Sequence, residues 1–396
     1  MLFPISPSQL FSRKFRTRIC MFIRKIDDWE QRKLGEVTES FDGKRVPIDS
    51  GLRVLGEYPY YGATGIIDYV DDYIFDGEYV LLAEDGANII MRNNPVAYLT
   101  QGKFWLNNHA HIMRIIEGNN YFLVQVLEKI DYIKYNTGTA QPKLNSKIVK
   151  NIEFKLPQIE EQQKIGAFFK QLDDTIALHQ RKLDALRLMK KALLQLLFPE
   201  NGYKVPKLRF ADFVEEWEQC KLGDLGSVVM NRRIFKEETA DKGDIPFYKI
   251  GTFGGEADSY ITQEKFEDYK LKYPYPETGD ILISASGSIG RTVEYNGEEA
   301  YYQDSNIVWL KHDKQLYNLF LKQFYFIVKW SGVEGTTIKR LYNKNILETE
   351  INIPSINEQK EIGGFFKQLD ETIALYQKKL DKLNTLKKAY LQNMFI

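Results

Sequence analysis

The chain has 396 residues, 54 lysines and arginines against 54 aspartates and glutamates, and 43% apolar residues that include 24 tyrosines and 24 phenylalanines. That length and apolar content suit two or three domains with cores of their own and argue against a small cross-linked scaffold or a disordered chain. Zero net charge means that bulk charge implies no nucleic-acid partner; the two cysteines, Cys20 and Cys220, form no Cys-x-x-Cys spacing, which argues against a zinc ribbon or disulfide framework and suits a reducing compartment.

In chain order, residues 1–28 read as a basic N-terminal extension, because Arg13, Lys14, Arg16, Arg18, Arg24 and Lys25 precede the first acid, Asp27. Its apolar stretch, Ile19 to Ile23, is too short for a secretory signal, so an extension or an upstream start codon is expected. No apolar run reaches the ~18 residues that cross a bilayer, and the expected location is cytoplasmic. Residues 29–156 make a first strand-rich domain, with Tyr79 to Ala83 a short apolar run bounded by turn signals. Residues 157–199 predict a long helix, 200–216 a linker, 217–353 a second strand-rich domain with its own run Asp280 to Ser284, and 354–396 a second long helix.

The halves repeat. Trp29-Glu30-Gln31-Arg32-Lys33-Leu34-Gly35 returns as Trp217-Glu218-Gln219-Cys220-Lys221-Leu222-Gly223, and Pro59-Tyr60-Tyr61 as Pro246-Phe247-Tyr248. Pro157 to Phe198 aligns without a gap on Pro354 to Phe395, with 27 identities in 42 positions, which is far beyond chance and marks a duplicated architecture. Residues 38–137 and 226–334, by contrast, diverge.

Within the near-identical segment Ile165, Phe169, Leu172, Ile176, His179, Leu183, Leu186, Lys190, Leu193 and Leu197 step alternately by four and three, as do Ile362, Phe366, Leu369, Ile373, Tyr376, Leu380, Leu383, Lys387, Tyr390 and Met394. This is the spacing of a coiled-coil seam, about 50 Å long at about 1.5 Å per residue. Lys190 and Lys387 interrupt it; their stems are expected to lie on the apolar face while the amines reach solvent, a register-fixing role being the alternative. Residues 158–178 hold four acids and two bases, 179–198 one acid and five bases, and 355–375 and 376–395 repeat those counts. Antiparallel pairing would set acidic halves against basic ones. The other reading, complementing each helix dipole, fits less well because the bias extends beyond the terminal turns.

Trp-Glu-Gln-x-x-Leu-Gly opening each half, Gly138-Thr139 and Gly335-Thr336-Thr337 closing each variable domain, and Pro-x-Ile-x-Glu-Gln at 157–162 and 354–359 opening each helix occur in the same order twice. From Trp29 onward the chain thereby resembles the specificity subunits of type I restriction-modification enzymes. The resemblance implies an α+β fold, with two mixed, strand-rich target-recognition domains separated by two long antiparallel coiled-coil helices in a pseudo-two-fold repeat. It implies a non-catalytic subunit whose domains each read half of a bipartite double-stranded DNA site. Its implied partners are two methyltransferase subunits, which bind S-adenosylmethionine and methylate adenine N6, and restriction subunits, which carry ATP and magnesium and cleave DNA; no cofactor is expected on this chain. One departure is that Pro206-Lys207-Leu208-Arg209-Phe210, which leads into the second domain, shares only its phenylalanine with the aligned Arg18 to Phe22.

Catalytic motifs are missing from the sequence. Asn94-Pro95-Val96 lacks the second proline and the aromatic residue of an adenine-gripping motif, and Ser286-Gly287-Ser288-Ile289-Gly290 lacks the lysine of a phosphate-binding loop and reads as a turn beside a strand. Glu153-Phe154-Lys155 has a nuclease-like form without an obvious upstream Asp to converge on a metal. His109 and His111 would share one face of a strand, but without a companion acid or Cys cluster they suit a structural or DNA-facing role rather than a metal site.

DNA contacts are instead expected from polar and basic residues on glycine-punctuated loops. These are Lys44, Arg45, Arg92, Asn93, Asn108 and His109 in the first domain, and Asn231, Arg232, Arg233, Lys249, Arg291, Gln303 and Asn306 in the second, since Arg reads guanine and Asn or Gln reads adenine through paired hydrogen bonds. Thr139, Lys143, Thr337, Lys339 and Arg340, near the repeated domain ends, suit phosphate positioning. Because the variable regions differ, the half-sites should differ; identical readers would give a palindrome. The competing functions are a stand-alone nuclease or methyltransferase, against which the missing motifs count, and a coiled-coil scaffold with no DNA role.

Overall fold

A computed structural model of the protein describes residues 29–200, 202–333 and 339–395. The basic extension 1–28, with Cys20, and the segment Gly335 to Thr337 lie outside the described residues. The chain divides into two compact units: one takes in the chain up to Gln180 together with Lys379–Ile396, the other is Arg181–Lys378. Each unit is therefore one strand-rich domain, the first half of the helix it leads into, and the last half of the other helix. The sequence boundaries at 157 and 354 mark where strands give way to helix, not where packing ends.

In the first unit the Trp-Glu-Gln anchor runs into the strand Glu30–Lys33, antiparallel to Glu153–Leu156, so the two ends of the domain are zipped together before the helix begins. The Glu-x-Lys triplet lies in this ladder, where Glu153 accepts from the Gln31 amide at 2.7 Å and Phe154 joins the core. A four-stranded antiparallel sheet follows in the order Thr38–Ser40, Ala110–Ile115, Tyr79–Ala83, Ala97–Thr100. Tyr79–Ala83 is apolar along its length because both faces are covered. Val80 and Leu82 share a buried cluster with Phe122, Leu123 and Val126 of the helix Asn120–Lys129, and Leu81 shares another with Phe75, Phe104 and Leu106. The last three belong to a second sheet, ordered Gly65–Val70, Leu55–Gly62, Lys103–Leu106, Phe75–Asp76, whose middle pair is parallel.

The second unit repeats the plan. Glu218–Lys221 pairs antiparallel with Glu350–Ile353, and the main sheet, ordered Gly226–Val229, Ile307–His312, Ile281–Ser284, Thr292–Glu294, matches the first strand for strand. The helix Asn318–Ile327 replaces Asn120–Lys129. Ile245–Tyr248, which holds the repeated Pro-Phe-Tyr, pairs in parallel with Tyr301–Tyr302, as Leu55–Gly62 with its Pro-Tyr-Tyr pairs with Lys103–Leu106. The units differ in what hangs on this framework: a long hairpin to Gly65–Val70, the edge strand Phe75–Asp76 and the helix Asn88–Met91 in one, the short strand Tyr260–Ile261 and the helix Gln263–Lys272 in the other.

The long helices are Ile159–Leu196 and Ile356–Met394, 38 and 39 residues, about 57 and 59 Å at 1.5 Å per residue. Among the described residues no helix is long and apolar enough to cross a membrane. The repeated Pro-x-Ile-x-Glu-Gln motif has a physical job. Buried Gln162 donates to the Pro157 carbonyl at 2.8 Å and accepts the Asn119 N–H, and buried Gln359 likewise bonds the Pro354 carbonyl (3.0 Å) and the Tyr317 N–H (2.9 Å). One turn later a Cβ on Gly166 or Gly363 would come within 2.2 Å of Asn119 Oδ1 or 2.9 Å of Leu319 Cβ, so the close approach of helix to domain needs glycine. At the far ends Phe395 packs with Trp29 and Phe122 (6.2 and 5.6 Å), and Phe198 with Trp217 and Phe320 (5.9 and 5.1 Å). Each anchor tryptophan is held by a phenylalanine just past the end of a long helix.

Pairing is antiparallel in both units. In the first, Phe168 meets Tyr390 at 5.0 Å and Asp173 meets Lys387 at 2.6 Å; in the second, Lys182 meets the ring of Tyr376 at 6.0 Å and Lys190 meets Asp370 at 2.6 Å, so numbering rises on one helix as it falls on the other. Ile165, Phe169, Leu172, Leu183, Ile362, Phe366, Leu369 and Leu380 are buried, and Ile176, Leu186, Ile373 and Leu383 are half-buried. The expectation that Lys190 and Lys387 reach solvent is corrected. Both amines lie in ion pairs across the seam, with the lysine side chains 16% and 26% exposed, because the opposing helix places an aspartate at each.

Candidate nucleic-acid interface

In both units the loop after the middle strand of the main sheet is clasped by the segment that closes the variable domain. After Tyr79–Ala83, the Gly86 N–H donates to the Pro142 carbonyl at 3.0 Å and the Leu144 N–H to the Glu84 carbonyl at 2.7 Å, bridging Asp85 to Lys143. After Ile281–Ser284, the Gly287 N–H donates to the Lys339 carbonyl at 3.0 Å and the Leu341 N–H to the Ala285 carbonyl at 2.8 Å, bridging Ser286 to Arg340. Lys143, Lys339 and Arg340 are exposed. In the first unit the clasp closes on itself: the Asn136 side chain accepts from the Gly138 and Lys143 N–H groups at 2.9 Å, and a Cβ on Gly138 would fall 1.8 Å from the Gln141 carbonyl oxygen. Thr139 stands exposed beside it. Thr337 lies outside the described residues.

Charge around the first clasp is matched internally. Arg45 donates to Glu84 (2.6 Å) and to the carbonyls of Ala110 (2.8 Å) and Asp42 (2.9 Å), while the Lys143 amine lies 3.4 Å from Glu84. The expected shared face of the two histidines is corrected, because the strand begins at Ala110, after His109. His111 is buried, with Nδ1 2.7 Å from the Asp42 carboxylate and Nε2 2.8 Å from the Leu144 carbonyl oxygen. Burial alone would raise the Asp42 pKa, but the hydrogen bond and charge of His111 outweigh it and hold the carboxyl below its usual range. His109 is exposed and its Nδ1 meets Asp85 at 2.8 and 3.0 Å. Lys44, Asn93 and Asn108 are exposed too. Arg92, at φ +56°, turns its guanidinium to the carbonyls of Glu128 and Ile130 and over the Tyr132 ring.

In the second set, several side chains are tied to neighbouring loops. Arg233 lies 3.9 Å from Asp304, the neighbouring Gln303 side chain accepts the Ile250 N–H at 2.9 Å, Asn306 accepts the Ser286 hydroxyl at 2.7 Å, and Arg291 donates to the Phe253 carbonyl at 2.7 Å. Lys249 sits 2.8 Å from Asp258, whose carboxyl this bond holds below its usual range. Arg232 and Arg233 are exposed over the rings of Tyr273 and Phe235 (5.4 and 5.3 Å). Asn231, by contrast, is buried and donates to the Pro274 carbonyl at 3.3 Å, so it holds its loop. Among the described residues no group of three or more His, Cys, Asp or Glu side chains could hold a metal ion. Sequence reasoning missed Asp42, Glu84 and Asp85, which orient these side chains, and read Ser286 only as part of a turn. The signal was a glycine three residues beyond each repeated apolar strand, Gly86 and Gly287.

A family model described as the type I restriction modification DNA specificity domain matches twice, over residues 26–188 and 214–385. A Haemophilus influenzae chain named as a type I restriction enzyme specificity subunit is 43% identical over 343 residues, 86% of this chain and 87% of its own. The type I restriction enzyme MjaVIII specificity subunit of Methanocaldococcus jannaschii is 24% identical over 400 residues, 92% of each. The crystal structure of a type I restriction-modification S subunit from M. genitalium has the same fold, with a TM-score of 0.69 over 94% of this chain and 98% of that one at 15% identity. With two domain matches laid over two units of one plan, the chain belongs to the type I restriction-modification DNA specificity family, as a specificity subunit with two target-recognition domains.

Proposed function

We propose that the chain reads an asymmetric bipartite site on double-stranded DNA, one half with each target-recognition domain, as a non-catalytic scaffold for two methyltransferase subunits and for restriction subunits. S-adenosylmethionine, ATP and magnesium then belong to those partners, while this chain binds and orients. One observation carries the reading: the units share a framework and a clasp, yet differ in what stands beside the clasp, Glu84, Asp85 and His109 in one and Ala285, Ser286 and Asn306 in the other. A constant frame with exchangeable polar groups is what a pair of readers with different targets requires. In this reading Lys44, Asn93, Asn108 and His109 face the first half-site and Arg232, Arg233, Lys249, Arg291, Gln303 and Asn306 the second. Thr139, Lys143, Thr337, Lys339 and Arg340 hold phosphates, and Arg45, Arg92 and Asn231 shape their own loops. Sequencing the methylated adenines of a host carrying this gene tests it. The expected result is a motif of two unlike half-sequences around an unread gap; a palindrome, or no new motif in a host with active methyltransferase subunits, would refute it.

A further inference from the structure

His109 is held from several directions. Its N–H donates to Asn107 Oδ1 at 2.8 Å, its carbonyl accepts the Glu84 N–H at 2.8 Å, and its Nδ1 lies 2.8 and 3.0 Å from the two Asp85 oxygens. Asp85 is pinned in turn by its bridge to Lys143. The ring is nonetheless 53% exposed, and its Nε2 has no partner among the described residues. A carboxylate only accepts, so Nδ1 carries a proton in either charge state of the ring, and the tautomer is set. Nε2 is then an acceptor when the ring is neutral and a donor when it is an imidazolium.

Phosphate oxygens, and the O6 and N7 edge of guanine, only accept. A duplex that meets Nε2 through these groups therefore selects the imidazolium, with Asp85 as its counter-charge. Nearby charged groups have partners among the described residues. Lys143 and Arg45 are both on Glu84, Arg45 also reaches the Asn108 carbonyl at 3.5 Å, and buried His111 faces Asp42. The second unit, with Ser286 at the place of Asp85, lacks this pair.

We infer that His109 is a proton-dependent DNA contact: it engages the first half-site as an imidazolium, donating from Nε2 to an acceptor on the duplex. This rests on the DNA-reading function proposed above. The test is fluorescence anisotropy of the assembled complex on a labelled duplex carrying the methylated motif, at fixed ionic strength from about pH 5.5 to 8.5, where imidazole titrates. Affinity should fall as pH rises, by up to about tenfold per pH unit for one linked proton. His109→Gln should flatten that dependence, and Asp85→Asn, which removes the counter-charge, should move the fall to lower pH. A pH dependence that vanishes with one base change in the first half-site assigns the acceptor to guanine; one that survives every base change assigns it to phosphate. A wild-type complex that discriminates its motif with a flat pH profile, or a His109→Gln complex with the wild-type slope, overturns the inference. A wild-type complex that discriminates no duplex at any pH overturns the DNA-reading function itself, and this inference with it.

Discussion

Replacing Asp370 with Asn should unsettle the helix pairing of the second unit. Lys190 Nζ lies 2.6 Å from Asp370 Oδ1 and 4.4 Å from the Phe326 ring, with the lysine and aspartate side chains 16% and 31% exposed. Its neighbours along the seam are Leu186 and Leu193, and both belong to the apolar surroundings of the second core. Exposed ion pairs contribute about 0–1 kcal/mol, whereas removing one partner of a fully buried pair costs about 3–5 kcal/mol. At this intermediate exposure Asp370→Asn should cost about 2 kcal/mol, since the ammonium keeps the ring but loses its counter-charge. Lys190→Met should cost a similar amount. The double variant Lys190→Met with Asp370→Leu should return close to wild type, because it removes both charges and leaves an apolar seam. Urea unfolding followed by hydrogen exchange, which reports the two units separately, supplies the double-mutant cycle, and the first unit with its intact Lys387–Asp173 pair is the internal reference. Single variants within about 0.5 kcal/mol of wild type, or a cycle without coupling, would refute the idea that the pair holds register. Asp173 also accepts the Tyr121 hydroxyl at 2.7 Å, and burial together with that bond raises the hydroxyl pKa well above its usual range. Asp173→Asn should therefore cost about 1 kcal/mol more than its counterpart.

Arg209 grips Glu358 with two bonds of 2.7 Å, and the glutamate side chain is 1% exposed; Arg209→Met should strand that carboxylate at a cost of about 3 kcal/mol or more, and an unchanged melting temperature would show otherwise. Because the Asp42 carboxyl titrates lower in the fold than in the unfolded chain, it adds stability above its unfolded pKa, and that stability is lost as pH falls through the folded value. Asp42→Asn should thus start from lower stability near neutrality and lose less of it in acid, whereas superimposable acid-unfolding curves would exclude the His111 pairing as its cause. If Arg233 reads guanine, Arg233→Ala should cost about 1–3 kcal/mol in binding and relax the second half-site only; equal weakening on all sequences would move the contact to phosphate.

Much of this architecture is local and therefore legible in one dimension. Steps of four and three in Ile165 to Leu197 can only be a helical seam, the apolar run Tyr79–Ala83 is a strand covered on both faces, and the repeated Trp-Glu-Gln and Pro-x-Ile-x-Glu-Gln motifs predict two copies of one plan. Site chemistry was legible only as residue type. Arg45 and His109 read alike as polar loop residues, but Arg45 is tied up by Glu84 and Ala110, 39 and 65 positions away, whereas His109 keeps one ring nitrogen without a partner among the described residues.

By itself, then, the sequence determined the two-unit α+β plan, the long helices and their opposed charge, because hydrophobic periodicity and duplication are written residue by residue. Only the tertiary structure decided that each helix divides between two units, that Lys190 and Lys387 meet Asp370 and Asp173 rather than solvent, that His111 is buried while His109 is exposed, and that the loop after each middle strand is clasped by the closing segment. Those outcomes depend on strand order and helix register, which bring together side chains from tens to more than two hundred residues apart. Where a charge ends up depends on which distant partner the packing sets against it, and neighbouring residues carry no record of that choice.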